Sequence, residues 1–198
     1  MSRKPLTIAA VVVICFVIIS GLIAGAAHLF SERPFLAPQP PPVTFQFLDQ
    51  NQAFDFPLKA QKLNLFYFGY TNCPDVCPLT LTYLGQAMRN LSESEQKQIQ
   101  VIFISVDYEH DTPETAAKFA ASFFPSFKGF TGTREQIDGL IKQFHGSYVI
   151  EKNEKSYLGY SITHSDRVFF VNEKGTVLNS LSHVQSIDPL LHEIKEHL

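Results

Sequence analysis

The sequence predicts an α/β fold in which one domain, with a central sheet flanked by helices, follows a single N-terminal transmembrane helix. Three observations support this prediction. An uncharged apolar segment opens the chain, strand-like and helix-like patterns alternate after it, and hydrophobic residues make up 45% of the 198 residues, which is enough for a packed core. The formal net charge of −3 argues against a nucleic-acid partner, because proteins that bind nucleic acids usually carry a basic surface.

The N-terminal segment predicts a membrane anchor. Leu6–Ala27 carries no charge over 22 residues, which is long enough to cross a bilayer as a helix. Arg3 and Lys4 precede it, and this charge bias places the rest of the chain outside the cytoplasm. Small residues at 24–26 are also compatible with cleavage of a signal peptide. The apolar run exceeds a typical signal core of about 7–15 residues, which favours an uncleaved anchor.

The chain is expected to divide into three segments: an anchor over residues 1–30, a proline-rich spacer over residues 31–42, and a domain over residues 43–198. Between Ser31 and Val43, five of thirteen residues are proline. This composition is typical of an extended spacer that holds a domain away from the membrane. The hydrophobic pattern of a core begins only at Val43.

Strand-like and helix-like segments alternate through the domain. VTFQFLD and AFDF predict a hairpin, and the apolar runs LNLFYFGY and QVIFISVD predict buried central strands. Capping and proline signals predict helices that begin near Pro78, Thr112, Thr133 and Asp188. SYVIE, RVFFVN and GTVLNSL predict further strands, and the last two are joined by the turn NEKG. This order of elements is that of a thioredoxin-like domain.

Two cysteines, Cys73 and Cys77, follow the first buried strand, where open α/β sheets place their functional sites. On one regular helix their Cβ atoms would lie about 5–6 Å apart, whereas a disulfide needs about 3.5–4.5 Å. Pro78 favours another geometry, in which it takes the first helical position, Cys77 caps the helix and Cys73 lies on an adaptable loop. A disulfide and a metal chelate both remain possible, and the helix N-terminus would stabilise a thiolate.

A structural disulfide is the plainest alternative for a cysteine pair in an exported domain. So short a loop gains little from closure, which favours a functional pair. Cys15 lies within the apolar segment and is interpreted as an apolar filler.

Four sequence segments, in order, resemble the Sco/SenC family of membrane-anchored copper proteins: GYTNCPDVCP, VIFISVDYEHDTPE, FTGT and THSDRVFFVNEKG. The resemblance runs from about Val43 to the C-terminus and implies a thioredoxin-like fold. It implies that copper is bound by Cys73, Cys77 and His164. It further implies a copper chaperone that helps to load the binuclear copper site on subunit II of cytochrome c oxidase. The location implied is the inner membrane, with a single pass and the domain facing the periplasm or the mitochondrial intermembrane space.

The chemistry of these side chains agrees with that resemblance. Thiolates select Cu(I) and an imidazole is a suitable third ligand, whereas zinc normally takes four ligands. His164 lies just before the strand RVFFV, and this position is the observation that supports it as a ligand. Thioredoxin-type oxidoreductases usually carry a proline in the corresponding loop, and this chain has none between Pro125 and Pro189. This difference argues against a general disulfide exchanger.

Two other functions remain open. Cys73 and Cys77 as a redox-active pair predict a thiol–disulfide oxidoreductase that keeps a partner's cysteines reduced, which requires a thiol reductant as a second partner. A peroxide-reducing enzyme would also suit the fold, but no dedicated peroxidatic motif is present. The protein is therefore expected to be a metallochaperone rather than an enzyme.

Several polar residues are assigned minor roles. Asp107 and Asp111 match acidic positions of the family and are expected to tune the site or to cap the next helix, with capping favoured for Asp111. Asp75 is expected to face either a docking partner or only solvent. His110, His145 and His183 are predicted to be surface residues.

Overall fold

The computed structural model describes residues 12–13, 15–21, 40–49 and 52–198. Residues 12–13 and 15–21 are helical, and no helix within the described ranges is both long and apolar enough to cross a membrane. Most of the predicted anchor, Leu6–Ala27, and of the predicted spacer lies outside the described residues. The compact unit that carries the rest of the fold runs from Pro41 to Leu198. The division into anchor, spacer and domain stays a prediction.

The compact unit alternates strands and helices, as predicted. Its strands are β1 (Phe45–Asp49), β2 (Gln52–Phe56), β3 (Leu63–Gly69), β4 (Ile99–Ser105), β5 (Lys128–Phe130), β6 (Tyr148–Lys152), β7 (Tyr160–His164), β8 (Arg167–Asn172) and β9 (Val177–Ser182). Its helices are α1 (Val76–Arg89), α2 (Glu93–Gln96), α3 (Pro113–Phe123), α4 (Arg134–Gln143) and α5 (Asp188–His197).

A five-stranded mixed sheet with the order β5-β4-β3-β8-β9 forms the centre of the unit. β3 runs parallel to β4 and antiparallel to β8. Every residue of β3 and β4 is buried, which explains their nearly continuous apolar sequences. β1 with β2, and β6 with β7, form two separate antiparallel pairs. The predicted thioredoxin-like architecture, a central sheet with flanking helices, is thus present.

Phenylalanine rings attach the β1–β2 pair to the central sheet. Phe45 lies across Phe66 of β3 with 5.7 Å between ring centroids, and Phe54 lies 4.8 Å from Phe130 of β5. Phe54 and Phe66 are almost completely buried. Because aromatic pairs of this kind add to the free energy of burial, the short hairpin is held by its side chains rather than by strand pairing with the sheet.

The start of α1 differs from the prediction. The helix begins at Val76 with Asp75 as its N-cap, so Cys77 lies inside the first turn rather than at the cap. Pro78 is tolerated at the third position because the N–H groups of the first turn have no helical acceptor. Pro74, whose carbonyl Pro78 would meet in a longer helix, lies outside it.

The buried face of α1 contains Cys77, Leu81, Leu84 and Met88, whereas Leu79 is 44% exposed. Helical spacing alone predicts a shared apolar face for Leu79, Tyr83, Ala87 and Leu91, of which Ala87 and Leu91 are buried but Leu79 is not. Packing against the sheet selects the stripe that begins with Cys77.

The start signals of the next two long helices are confirmed. Thr112 caps α3 with Pro113 in the first turn, and Thr133 and Gln136 form a capping box at α4. Two strands were not predicted: β5, which has only three residues, and β7, in which polar residues alternate with one buried isoleucine. The consequence for the site is that His164 ends a strand and does not lie in a loop.

Candidate metal centre

The cysteine pair lies where β3 passes into α1. Cys77 is buried in the first helical turn and Cys73 is half-buried in the loop before it. Both are free thiols, and the backbone N–H of Cys77 donates to Sγ of Cys73 at 3.4 Å. The two sulfur atoms therefore face each other without a disulfide bond.

His164 completes a three-residue cluster with the cysteines. Its Nε2 lies 3.3 Å from Sγ of Cys77, and the two sulfurs and one imidazole nitrogen all lie within 4.8 Å of one another. In the described part of the chain, no other group of three histidine, cysteine or acidic side chains is arranged in this way. The structure thus brings together all three predicted ligands, although Cys77 and His164 are 87 residues apart in the sequence.

The site is enclosed by two tyrosines of the β3 segment. The rings of Tyr67 and Tyr70 stand nearly perpendicular to the His164 ring, with centroids 6.1 Å and 6.2 Å away. Nδ1 of His164 lies 3.3 Å from the carbonyl oxygen of Ser165. A proton on Nδ1 can donate to that oxygen, and this tautomer leaves the lone pair of Nε2 directed at the cysteines.

The pKa values of the two cysteines are shifted in opposite directions because the two sulfur atoms share one proton. The hydrogen bond from Cys77 lowers the pKa of Cys73 to about 4, and hydrogen bonds from the backbone of Asp75 and Cys77 act in the same direction. Burial raises the pKa of Cys77, and the hydrogen bond and negative charge of Cys73 raise it further. The reduced pair is therefore a Cys73 thiolate beside a Cys77 thiol.

The surrounding tyrosines remain protonated next to that negative charge. Burial raises the pKa of Tyr67, and the charge of Cys77 in its thiolate form would raise it more. Burial and the neighbouring Cys73 raise the pKa of Tyr70 to about 12. Both phenols stay neutral, so the negative charge that attracts a cation comes from the Cys73 thiolate and not from these tyrosines.

Asp111 does not cap α3, contrary to prediction, since Thr112 does. Its carboxylate accepts hydrogen bonds from the Thr71 N–H at 2.9 Å, from the Ser105 hydroxyl at 2.5 Å and from the Thr71 hydroxyl. It thereby ties the loop that leads to Cys73 to the end of β4. A cap was a reasonable expectation because Asp111 directly precedes the capping residue, but burial turned the carboxylate inward.

The other polar residues are placed as follows. Asp107 is fully buried and accepts hydrogen bonds from Tyr160 and His110. His145 and His183 are exposed, as predicted, and Asp75 is exposed on the loop between the cysteines. The sequence analysis did not identify Tyr160. Its position four residues before His164 was the one indication, because side chains four residues apart on a strand lie on the same face.

The comparison with family models decides the relationship. The model of SCO1/SenC matches residues 40–198. The chain belongs to the SCO1/SenC family. The SCO2-like protein of Rickettsia felis is 30% identical over 135 residues, which cover 68% of this chain and 65% of that protein.

Two solved members of the family share its fold. The apo Sco1 structure from Thermus thermophilus is 32% identical, with a TM-score of 0.72 over 82% of this chain and 94% of the other. Bradyrhizobium japonicum ScoI, solved with copper bound, is 27% identical, with a TM-score of 0.69 over 80% and 99%. The chain spans 46% to 65% of the length of eight curated relatives that it matches.

Proposed function

We propose that this protein is a copper chaperone in which Cys73, Cys77 and His164 hold the metal ion, and that it helps to load the binuclear copper site of cytochrome c oxidase subunit II. The observation that carries the proposal is the convergence of two unbonded sulfurs and one imidazole nitrogen within 4.8 Å. Thiolate and imidazole are the donor set that suits copper. The copper-bound ScoI relative and the family membership support the same metal.

The cluster suits a transferable ion rather than a permanent one. Three donors leave one side of the ion open to a ligand from an acceptor, so copper can pass by ligand exchange. Cys73 is half-buried and already a thiolate, so it is the sulfur that meets an incoming or departing ion. Cys77 must release its proton when it binds, which makes copper uptake dependent on pH.

Competition titration against a Cu(I) chelator tests the ligand set on reduced full-length protein in detergent. Wild type should bind one Cu(I), and Cys73→Ser or Cys77→Ser should abolish tight binding because only two ligands remain. His164→Ala should weaken Cu(I) binding less and Cu(II) binding more, since imidazole suits Cu(II). His192→Ala, which removes an exposed histidine of α5 that does not belong to the cluster, is the matched control. Wild-type protein without competitive affinity for copper would contradict the proposal.

A thiol–disulfide oxidoreductase is the second candidate, favoured by the unequal acidity of the pair. In that reaction the Cys73 thiolate attacks a partner disulfide and forms a mixed disulfide. Cys77, after losing its proton, then attacks Cys73 and releases the reduced partner, which leaves a Cys73–Cys77 disulfide for a thiol reductant to restore. Reduction of a partner disulfide without copper, unaffected by His164→Ala, would favour this function over the chaperone.

The proposed location is the outer face of the inner membrane, with Leu6–Ala27 as a single-pass anchor and residues 31–198 in the periplasm or the intermembrane space. The uncharged length of the segment and the basic residues before it support this topology. Protease added to spheroplasts or mitoplasts should degrade the domain. A domain that stays intact until the inner membrane is lysed would contradict the topology.

A further inference from the structure

The hairpin that carries His164 is a separate unit of structure. β6 and β7 pair with each other over five residues, and within the described part of the fold neither strand pairs with the central sheet. Only Ser165 and Asp166 join His164 to β8 of the central sheet, so the distance between His164 and the cysteines depends on this short connection and on the side-chain contacts of the hairpin.

One face of the hairpin is directed at the body of the domain. Tyr160, Ile162 and His164 alternate along β7 and share this face, and Ile162 is buried. Tyr148 of β6 stands directly opposite His164 in the strand register and so belongs to the same face. His164 thus has Tyr148 beside it on the neighbouring strand and Tyr160 two side chains away along the same face of β7, with Ile162 between them.

Each of these tyrosines ends on a carboxylate of the body. The Tyr160 hydroxyl donates to Asp107 at 2.5 Å, and the Tyr148 hydroxyl donates to Asp138 of α4 at 2.6 Å. The ring of His110 stacks on Tyr160 with 4.4 Å between centroids, and Nδ1 of His110 lies 2.7 Å from the second oxygen of Asp107. Asp107 is completely buried, so it is a fixed anchor point.

The space between these two hydrogen bonds is open. A cleft of about 560 Å³ separates the hairpin from α4 and from the turn at Tyr108–His110, and both tyrosines line it. Across the cleft, Tyr160 and Tyr148 make both the hydrogen bonds to the carboxylates and the ring contacts to His110 and Tyr108, so these two side chains have a large share in holding the hairpin at its observed distance.

We propose that Tyr160 and Tyr148 are positioning residues for His164: their hydrogen bonds to Asp107 and Asp138 hold the β6–β7 hairpin so that Nε2 stays within reach of the ion. The inference rests on the proposed function, since it takes His164 as a copper ligand. Loss of either bond lets the hairpin move away, which weakens the third ligand while both thiolates remain in place.

The test is a mutant cycle on the full-length reduced protein, read by Cu(I) competition and by the rate of copper release to excess chelator. Tyr160→Phe keeps the ring and its stack on His110 but removes the hydroxyl. It should weaken Cu(I) binding and speed release by about tenfold, the order expected for one hydrogen bond to a carboxylate. Tyr148→Phe should act in the same direction, and Tyr157→Phe, an 80% exposed tyrosine of the same hairpin, is the control.

The decisive arm combines Tyr160→Phe with His164→Ala. A positioning role requires that Tyr160→Phe has no further effect once the imidazole is absent, whereas a general loss of stability would lower affinity equally in both backgrounds. Equal losses, or no loss in either single tyrosine variant, would overturn the inference while leaving the ligand set intact. A silent His164→Ala would overturn the proposed ligand set itself and the inference with it.

Discussion

At the scale of single residues, the site depends on Gly69 at the end of β3. A Cβ atom at this position would lie 2.7 Å from Sγ of Cys77 and 3.1 Å from the ring of Phe103. Neither neighbour can retreat easily, because both are fully buried. The glycine is thus required by the close approach of the thiol to the strand.

Gly69→Ala is therefore expected to displace Cys77 and to disturb both folding and metal binding. The free energy of unfolding should fall by about 1–3 kcal/mol, the usual cost of overpacking a core. Urea denaturation and Cu(I) titration measure the two effects. Gly139→Ala is the control, because a Cβ on that exposed helical glycine meets nothing within 4 Å. An unchanged copper affinity in Gly69→Ala would show that the sulfur has room to move.

The shared proton of the cysteine pair predicts the pH dependence of the reduced apo-protein. The pKa of Cys73 is lowered from 9.0 to about 4, so its thiolate stabilises the folded state fully above pH 9.0. That contribution is lost as the pH falls from 9.0 towards 4. The stability difference between wild type and Cys73→Ala should therefore shrink over this interval.

Thiolate absorbance in the far ultraviolet follows the same titration directly. Wild type should show one thiolate across neutral pH, and Cys77→Ala should move the Cys73 transition towards that of an ordinary thiol, because the hydrogen bond from Cys77 is the largest cause of the shift. An unshifted transition in Cys77→Ala would assign the low pKa to another group.

At the scale of secondary-structure elements, buried carboxylates connect the segments that carry the ligands. Asp111 joins the loop before Cys73 to the end of β4, and Asp107 joins the end of β4 to the hairpin of His164. Both segments that carry ligands are thus hydrogen-bonded to the short stretch that follows β4. These hydrogen bonds contribute to the position of the cysteines relative to the imidazole.

Asp111→Ala should destabilise this junction. It leaves the N–H and hydroxyl of Thr71 and the hydroxyl of Ser105 without their acceptor, at a cost of about 1–3 kcal/mol in the free energy of unfolding. Chemical denaturation measures the cost. Glu109→Ala, which removes an exposed carboxylate two residues away, should change stability little. Equal effects of the two substitutions would mean that Asp111 acts only through charge.

At the scale of the whole molecule, the compact unit begins close to the point where the family match begins, at residue 40. Val43 is 1% exposed, and its N–H donates to the carbonyl of Gly175 at 2.8 Å. The Gln143 side chain exchanges two hydrogen bonds with the backbone of Thr44. These contacts attach the first residues of the unit to its C-terminal half.

A protein of residues 41–198 is therefore expected to unfold cooperatively in a thermal melt followed by circular dichroism. Residues 50–198 should melt at a lower temperature or not fold, because removal of β1 leaves β2 unpaired and exposes Phe54 and Phe66. Similar melting of the two fragments would show that the β1–β2 pair is dispensable.

The sequence by itself determined the class of fold and the identity of the candidate ligands. Buried strands, capping boxes and the proline signals are local patterns, so β3, β4, α3 and α4 could be predicted from neighbouring residues alone. The cysteine spacing and its place after a buried strand marked the site, and the family resemblance supplied His164.

Only the tertiary structure decided which helix face is buried, where α1 begins and how His164 reaches the cysteines. Helical spacing predicted a face of α1 that includes Leu79, and packing against the sheet selected the one that contains Cys77. The contacts of Asp107, Asp111 and Tyr160 join residues distant in sequence, and no local pattern encodes a hydrogen bond across 40 or 53 residues. A polar group that the fold buries needs a hydrogen-bond partner, and the tertiary structure decides which group is close enough to be that partner.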